Sequence, residues 1–262
     1  MKLPVSGCVI TLNEERHIAD CIKSLDFCDE ILVVDSHSTD RTTHIAESLG
    51  AKVFQFDSAD LVKKQNYTLE LAANQWIFTL DADERVSEEL KNEIQRLFRH
   101  TPGHDGYRFP RRTYYIDKWI RHGGWYPDKK IRLYDKTKAV WTGVNPHYEI
   151  RLKGSAGDIH ADILHYSFDN VQAHVDRLKR YAAIAVEQMA DNKATNGVIP
   201  RMIIRPAGKF LEMYIYKLGF LDGKHGFIIA GLYSFGMFVR YALLFEHMRK
   251  NRIPAQGKEH KK

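Results

Sequence analysis

The chain has 262 residues, 44% of them hydrophobic and 27% charged, which excludes disordered, collagen-like and disulfide-stapled classes and leaves room for a sizeable core. Its 39 Lys+Arg against 33 Asp+Glu give a net charge of +6, but residues 201–262 hold 12 basic and 4 acidic residues, so residues 1–200 carry −2. Cations gathered in one terminal quarter argue against a nucleic-acid binder, and no nucleic-acid partner is expected.

Cys8, Cys21 and Cys28 are odd in number and lack a C-x2-C pair, so they read as buried free thiols of a reducing cytosol. After Met1 and Lys2 the chain runs straight into a strand-like segment, and no secretory leader is expected. No stretch reaches the ~18 uncharged apolar residues of a spanning helix. The nearest, His225 to Val239, is fenced by Lys224 and Arg240 and broken by Gly226, Gly231 and Gly236, so it is expected not to span.

In chain order, Val5 to Leu12 reads as a buried strand, and Asn13 as the N-cap of a helix through Leu25 with Glu14 and Glu15 in its first turn. Glu30 to Asp35 is a second strand, followed by a loop at 36–40 and a helix to Leu49 closed by Gly50. Lys52 to Phe56 is a third strand and Leu61 to Ala73 a third helix. Trp76 to Leu80 is a fourth strand ending in Asp81-Ala82-Asp83-Glu84, and a further helix runs from about Ser87 to Arg99. Helices alternating with apolar strands predict an α/β fold with a parallel, doubly covered sheet. Ligands of such sheets bind outside the carboxyl ends of the strands, which singles out Thr11–Glu14, Asp35–Thr39 and Asp81–Glu84.

From Gly106 the pattern changes to short mixed strands at 107–109, 113–116, 130–134 and 139–141, with Gly123-Gly124-Trp125-Tyr126-Pro127-Asp128 as a loop. A helix is expected from about Asn170 to Asn192, and residues 201–249 read as helical, apolar and aromatic-rich. The basic tail from Asn251 is expected to be disordered.

Asp81 and Asp83 stand two residues apart at a strand end. There they can offer oxygen ligands to Mg2+ or Mn2+, which is held by one or two carboxylates together with substrate phosphates. The competing reading is capping of the next helix. Asp35 can accept from a base or from ribose hydroxyls, or serve as an N-terminal helix cap assisted by Ser38 and Thr39. Lys64, Gln65 and Asn66 open a helix that can face diphosphate oxygens, or form a solvated face.

Taken together, the runs Val9 to Glu15, Ile31 to Thr42, Lys64-Gln65-Asn66 and Trp76 to Glu84 resemble, in order and spacing, the inverting family 2 glycosyltransferases. The resemblance covers roughly residues 4–100 and implies the GT-A (Rossmann-like) fold. The later runs Gly123 to Tyr126, Ile131 to Tyr134, His147-Tyr148-Glu149 and Gly219 to Gly223 look like one branch, the bacterial lipopolysaccharide inner-core β-glucosyltransferases. The domain plan it implies is a catalytic domain over 1–200, with a nucleotide-sugar half to residue 100 and an acceptor half after it. A helical extension at 201–250 and the tail follow.

The resemblance implies a UDP-sugar donor whose nucleotide pocket is lined by Thr11, Asn13 and Glu14, with Asp35 on the uracil or ribose. Lys64 and Asn66 would stand near ribose and diphosphate, Asp81 would support ribose or sugar, and Asp83 would bind the metal. Ser36 stands where many members carry a second aspartate, which leaves the base contact to Asp35 alone. Inversion by single displacement needs a carboxylate that takes the acceptor proton, for which Glu149 is the candidate and Asp128 and Asp117 are reserves. Trp125 and Tyr126 would stack on an acceptor sugar or pack in the core. Arg132, with Lys129 and Lys130, would suit acceptor phosphates or form a solvated basic edge. His165 would complete the metal site or be structural.

The C-terminal segment mixes aromatics with Lys209, Lys217, Lys224, Arg240, Arg249 and Lys250, as interfacial helices do. Packing on the core or a contact between copies in a homo-oligomer is its other reading. The expectation is thus a cytoplasmic enzyme attached peripherally to the inner membrane, moving a hexose to a lipid-linked saccharide of the lipopolysaccharide core. A transferase of the same fold with a polyprenyl phosphate, capsule or protein acceptor stays open, as does a non-catalytic scaffold.

Overall fold

The computed structural model describes residues 2–58, 60–144, 147–191 and 197–252. The chain forms two compact units, one of residues 1–114 with 127–167, the other of 115–126 with 168–262. The helix after residue 170, expected in the catalytic half, thus belongs to the second unit.

The first unit is a mixed α/β layer structure. In chain order its elements are β1 (Leu3–Thr11), α1 (Ile18–Ser24), β2 (Cys28–Asp35), α2 (Thr42–Ser48), β3 (Lys52–Gln55), α3 (Leu61–Leu71), β4 (Trp76–Asp81), β5 (Glu84–Val86), α4 (Glu88–Leu97) and β6 (Gly106–Tyr115). After β7 (Lys118–Trp119), which lies in the other unit, come β8 (Asp128–Asp135), β9 (Ala139–Val144), β10 (His147–Leu152), β11 (Ala156–Asp158) and β12 (Ile163–Phe168). The sheet order is β3-β2-β1-β4-β8-β6-β12-β5. Strands β3, β2, β1 and β4 are mutually parallel, and β8 turns antiparallel against β4. Register pairs Thr11 with Asp35 and Ile10 with Asp81, so three strand ends stand side by side.

Alternation of side chains across the strands builds both core layers. Val5 and Val9 of β1, Val33 of β2 and Phe78 and Leu80 of β4 pack with Ile18, Ile22, Ala46, Leu90 and Ile94 of the helices on one face. Cys8, Leu32 and Ile77 point the other way, toward Ala72, Tyr134 and Trp141, where α3 and the β9–β10 ribbon cover the sheet. The three cysteines are free and buried, and burial pushes the Cys8 thiol up to about 12. They are inert packing groups.

Several elements depart from the expectation. Asn13 does not cap a helix: it sits at φ +55° and accepts from the Thr39 amide, and α1 starts only at Ile18. The helix-forming signal of Glu14 and Glu15 is overridden because their amides bond Thr42 and Asp40 across the loop. The two short strands around residue 110 are one continuous strand. Strands β5, β10, β11 and β12 were not anticipated, although Tyr148, Ile150 and Leu152 alternate with Glu149 and Arg151 as a strand requires.

The second unit consists of β7, α5 (Val171–Asp191), α6 (Val198–Leu211), a π-helical turn (Glu212–Tyr216), a 3-10 turn (Gly219–Asp222) and α7 (Lys224–Arg252). Its core joins Tyr115, Ile120, Phe168, Met213, Ile229 and Ala230. Helix α7 is unbroken, contrary to the expectation from its glycines, and Lys224–Lys250 is long and apolar enough to cross a membrane by length and composition. Gly226 and Gly236 are contact points rather than breaks, since a Cβ on them would meet the Gly219 carbonyl oxygen at 1.8 Å and Leu178 at 3.1 Å. Asn251 and Arg252, assigned to the tail, continue the helix, while the rest of the tail lies outside the described residues.

Candidate active site

The strand ends β1, β2 and β4 deliver Thr11, Asp35 and Asp81 to one edge of the first unit. Asp35 is fully buried and accepts from the Ser38 amide at 2.7 Å and the Ser38 hydroxyl at 2.5 Å, so it fixes the loop after β2. Asn13 stitches to the same loop through Ser38 and Thr39. Glu14 donates its amide to the Thr42 hydroxyl at 2.8 Å. The three residues expected to line a nucleotide pocket therefore meet the loop carrying Asp35.

Helix α3 is capped by Asp60, whose side chain accepts from the Val62 and Lys63 amides. It presents Lys64 and Gln65 as buried polar side chains. Burial lowers the Lys64 pKa, and the charge of Asp35 acts against that. Asn66 takes a different place from the one expected. It donates to the Trp141 carbonyl at 3.0 Å and accepts from the Trp141 amide at 3.1 Å, so it pins the β9–β10 ribbon to α3.

Beyond Asp81 a buried charge network takes over. Glu84, fully inaccessible, accepts from the Asp81 amide at 3.0 Å, from Arg132 Nη2 at 2.7 Å and from Arg111 Nη1 at 3.0 Å. Arg132 also reaches Asp81 Oδ2 at 2.8 Å, and Arg111 pairs with Asp128. Arg132 is thus not the acceptor-phosphate ligand of the sequence reading. It is buried in the sheet, where a charge must be paired, and it holds Asp81. Burial would raise the Asp128 pKa, but Arg111 and Lys130 hold it below the usual carboxylate range, which makes a weak base. Glu84 and Arg111 were missed. The signal was available in the acid that follows Asp83 and in arginines placed inside strands.

Asp83 lies in the turn between β4 and β5, with His165 of β12 beside it, Nε2 to Oδ2 at 3.2 Å. Thr113 Oγ1 stands 3.3 Å from His165 Nδ1, on the far side of the ring. Among the described residues no group of three His, Cys, Asp or Glu side chains is arranged around a common metal position. A carboxylate with one oriented imidazole nonetheless fits a hard divalent cation that takes its remaining ligands from a diphosphate.

Glu149 is on β10, two-thirds exposed, with Arg151 Nε at 3.2 Å. Its neighbour Tyr148 turns to the opposite face, where burial first, and then the charge of Asp81, raise its pKa. Trp125 and Tyr126 belong to the second unit, where the Trp125 ring packs against Tyr115, Phe168, His174 and Tyr233.

Among the described residues, several buried polar atoms on these elements have no protein partner: Thr11 Oγ1, both amide atoms of Gln65, Asp81 Oδ1 and Arg132 Nε. Unpaired buried polar atoms are costly, which makes these strand ends a candidate ligand site.

This arrangement, a sheet whose parallel strands end in carboxylates and whose later strands run mixed, is that of the GT-A fold. The sequence profile of glycosyl transferase family 2 matches residues 6–156, and the chain belongs to that family. An uncharacterized glycosyltransferase of Rickettsia typhi is 29% identical, with 95% of this chain and 89% of that protein covered. The lipopolysaccharide core biosynthesis glycosyltransferase LpsC of Rhizobium meliloti is 28% identical over 92% of this chain and 94% of its own length. Among solved structures, residues 1–349 of S. aureus TarS align with a TM-score of 0.47 at 17% identity, covering 96% of this chain and 92% of that one.

Proposed function

We propose that the chain is a metal-dependent inverting hexosyltransferase. It uses a UDP-sugar, UDP-glucose first among them, and a lipid-linked saccharide of the lipopolysaccharide inner core, at the cytoplasmic face of the inner membrane. The observation that carries this reading is the row of unpartnered buried polar atoms at the strand ends beside the Asp83–His165 pair. The name of the LpsC relative supports the acceptor class.

In this reading Thr11 and Asp35 hold base and ribose, and Asn13 and Glu14 shape the loop around them. The free Oδ1 of Asp81 accepts from a ribose or sugar hydroxyl while Arg132 fixes Oδ2. Lys64 faces the diphosphate. Asp83 and His165 hold Mg2+ or Mn2+, which when bound would offset the negative charge gathering on the departing diphosphate. Glu149 takes the proton of the incoming acceptor hydroxyl. Among the described residues it pairs with the exposed Arg151, whereas Asp128 is bound by Arg111 and Lys130. A single displacement on the face opposite the leaving group inverts the anomeric centre.

The test is hydrolysis of UDP-sugars by the purified protein with and without Mn2+. Activity that needs the ion, disappears in Asp83→Ala and survives in Glu149→Gln at unchanged UDP affinity but without transfer is the expected result. Absence of turnover with every UDP-sugar would overturn the reading.

A further inference from the structure

Resting on the membrane-bound acceptor just proposed, we infer that α6, the turns after it and the start of α7 form an in-plane docking face for one leaflet of an anionic bilayer, and that α7 does not cross it. Ile203 and Ile204 on α6 are 70% and 67% exposed, and Leu211, Ile215, Tyr216 and Phe227 continue the apolar surface, Tyr216 at 88%. Apolar exposure on this scale, contiguous along one helix and its following turn, is unusual on a free soluble surface. Arg201, Arg205 and Lys209, spaced by four, form a parallel row on the flank of this face, and Lys217 and Lys224 follow, with Lys209 and Lys217 sharing the one carboxylate of Glu212. Over residues 198–252 there are nine Lys+Arg and three Asp+Glu. An apolar face edged by cations complements acyl chains beneath anionic head groups.

Length and composition alone would let α7 span, but one side of it is packed within the second unit. Ile229 and Ala230 sit in the core with Tyr115 and Phe168, Tyr233 meets His174, Gly236 admits Leu178, and Tyr241 and Leu244 pack with Val186. Those contacts run along α5, whose outer face carries Asp176, Lys179 and Arg180. A spanning α7 would draw these charges into hydrocarbon or strip α5 away. An interfacial hairpin keeps both helices packed.

The test is flotation of the full chain with vesicles of phosphatidylethanolamine alone and of phosphatidylethanolamine with a quarter phosphatidylglycerol. Expected are binding to the second set only, weakened by 0.5 M salt, and release from membranes by alkaline carbonate. Ile203→Asp/Ile204→Asp should lower binding by about tenfold or more, and Tyr216→Ser several-fold, with native circular dichroism and unchanged UDP-sugar hydrolysis. Resistance to carbonate, or vesicle binding untouched by either variant, would overturn the proposal. So would a dimer in solution that the double variant splits, because the face would then be covered by a second copy. Vesicle binding by a protein without hydrolytic turnover would sink the transferase reading while leaving the docking face intact.

Discussion

Replacing Glu84 by glutamine tests the buried charge network with almost no change of shape. Oε1 of Glu84 receives Arg132 at 2.7 Å and Arg111 at 3.0 Å, while Oε2 receives the Asp81 amide at 3.0 Å. All three partners are donors. A glutamine must therefore turn its own NH2 against either the Asp81 amide or both guanidiniums, and in either case the two arginines lose the carboxylate that balances their charge. Hydrogen bonds to charged groups are worth about 1.5–3 kcal/mol each, and breaking a buried ion pair from one side costs about 3–5 kcal/mol. Arg132 keeps Asp81 and Arg111 keeps Asp128, so the lower end applies and about 3 kcal/mol is expected for Glu84→Gln. Urea unfolding followed by far-UV ellipticity, at unchanged m, measures it. In a double-mutant cycle with Arg132→Met the coupling should exceed about 1 kcal/mol. A Glu84→Gln protein within about 0.5 kcal/mol of wild type, with additive single changes, would refute the claim that Glu84 anchors the strand ends.

Asn66→Ala should cost about 1–3 kcal/mol and speed hydrogen exchange at the Trp141 amide, since both bonds tying the ribbon to α3 are lost. Unchanged exchange at that amide would remove Asn66 from its structural role. Lys64→Met should be more stable than wild type at pH 7 and bind UDP more weakly. Burial lowers the folded pKa of Lys64 below its ordinary 10.5, so the penalty for keeping it charged is full below the folded value. It fades as pH rises toward 10.5, and the stability gap between the two proteins should narrow over that window. A gap that does not change with pH would refute the buried-charge account.

The parallel half of the fold was legible because its strands are short apolar runs that end in turn and cap residues. That pattern placed Thr11, Asp35 and Asp81 at one edge before any pairing was known. The register between β1, β2 and β4 then made those three residues neighbours. What could not be read was the pairing of β8 beside β4, because nothing local to either strand specifies it. Without that pairing Arg132 looks like a solvated cation on a strand edge, and with it the guanidinium lies under Asp81. Asn13 failed for another reason. Its side chain satisfies a loop amide 26 residues away instead of the helix start that follows it, and local capping chemistry cannot anticipate a partner from the next βα unit.

Some of the positions where local rules fail lie at the strand ends that also carry Asp81 Oδ1 and Thr11 Oγ1. Asn13 and His37 both adopt positive φ without being glycine, and they border the loop that Asp35 holds. Lys64 and Gln65 are buried on a helix face that propensity alone would leave in water. Each of these features costs stability, which contacts offset only in part: Asn13 bonds Ser38 and Thr39, His37 pairs with Asp57, and Asp35 acts on Lys64. What stays unpaired among them is the Gln65 amide, which with Asp81 Oδ1 would meet the donor in the function proposed above. Among the described residues Asp81 Oδ1 lacks a donor, Gln65 lacks partners for both amide atoms, and Lys64 is buried with the charge of Asp35 acting on it. A molecule with hydroxyls, an amide-like edge and a phosphate chain supplies all three, and a nucleoside diphosphate sugar is such a molecule.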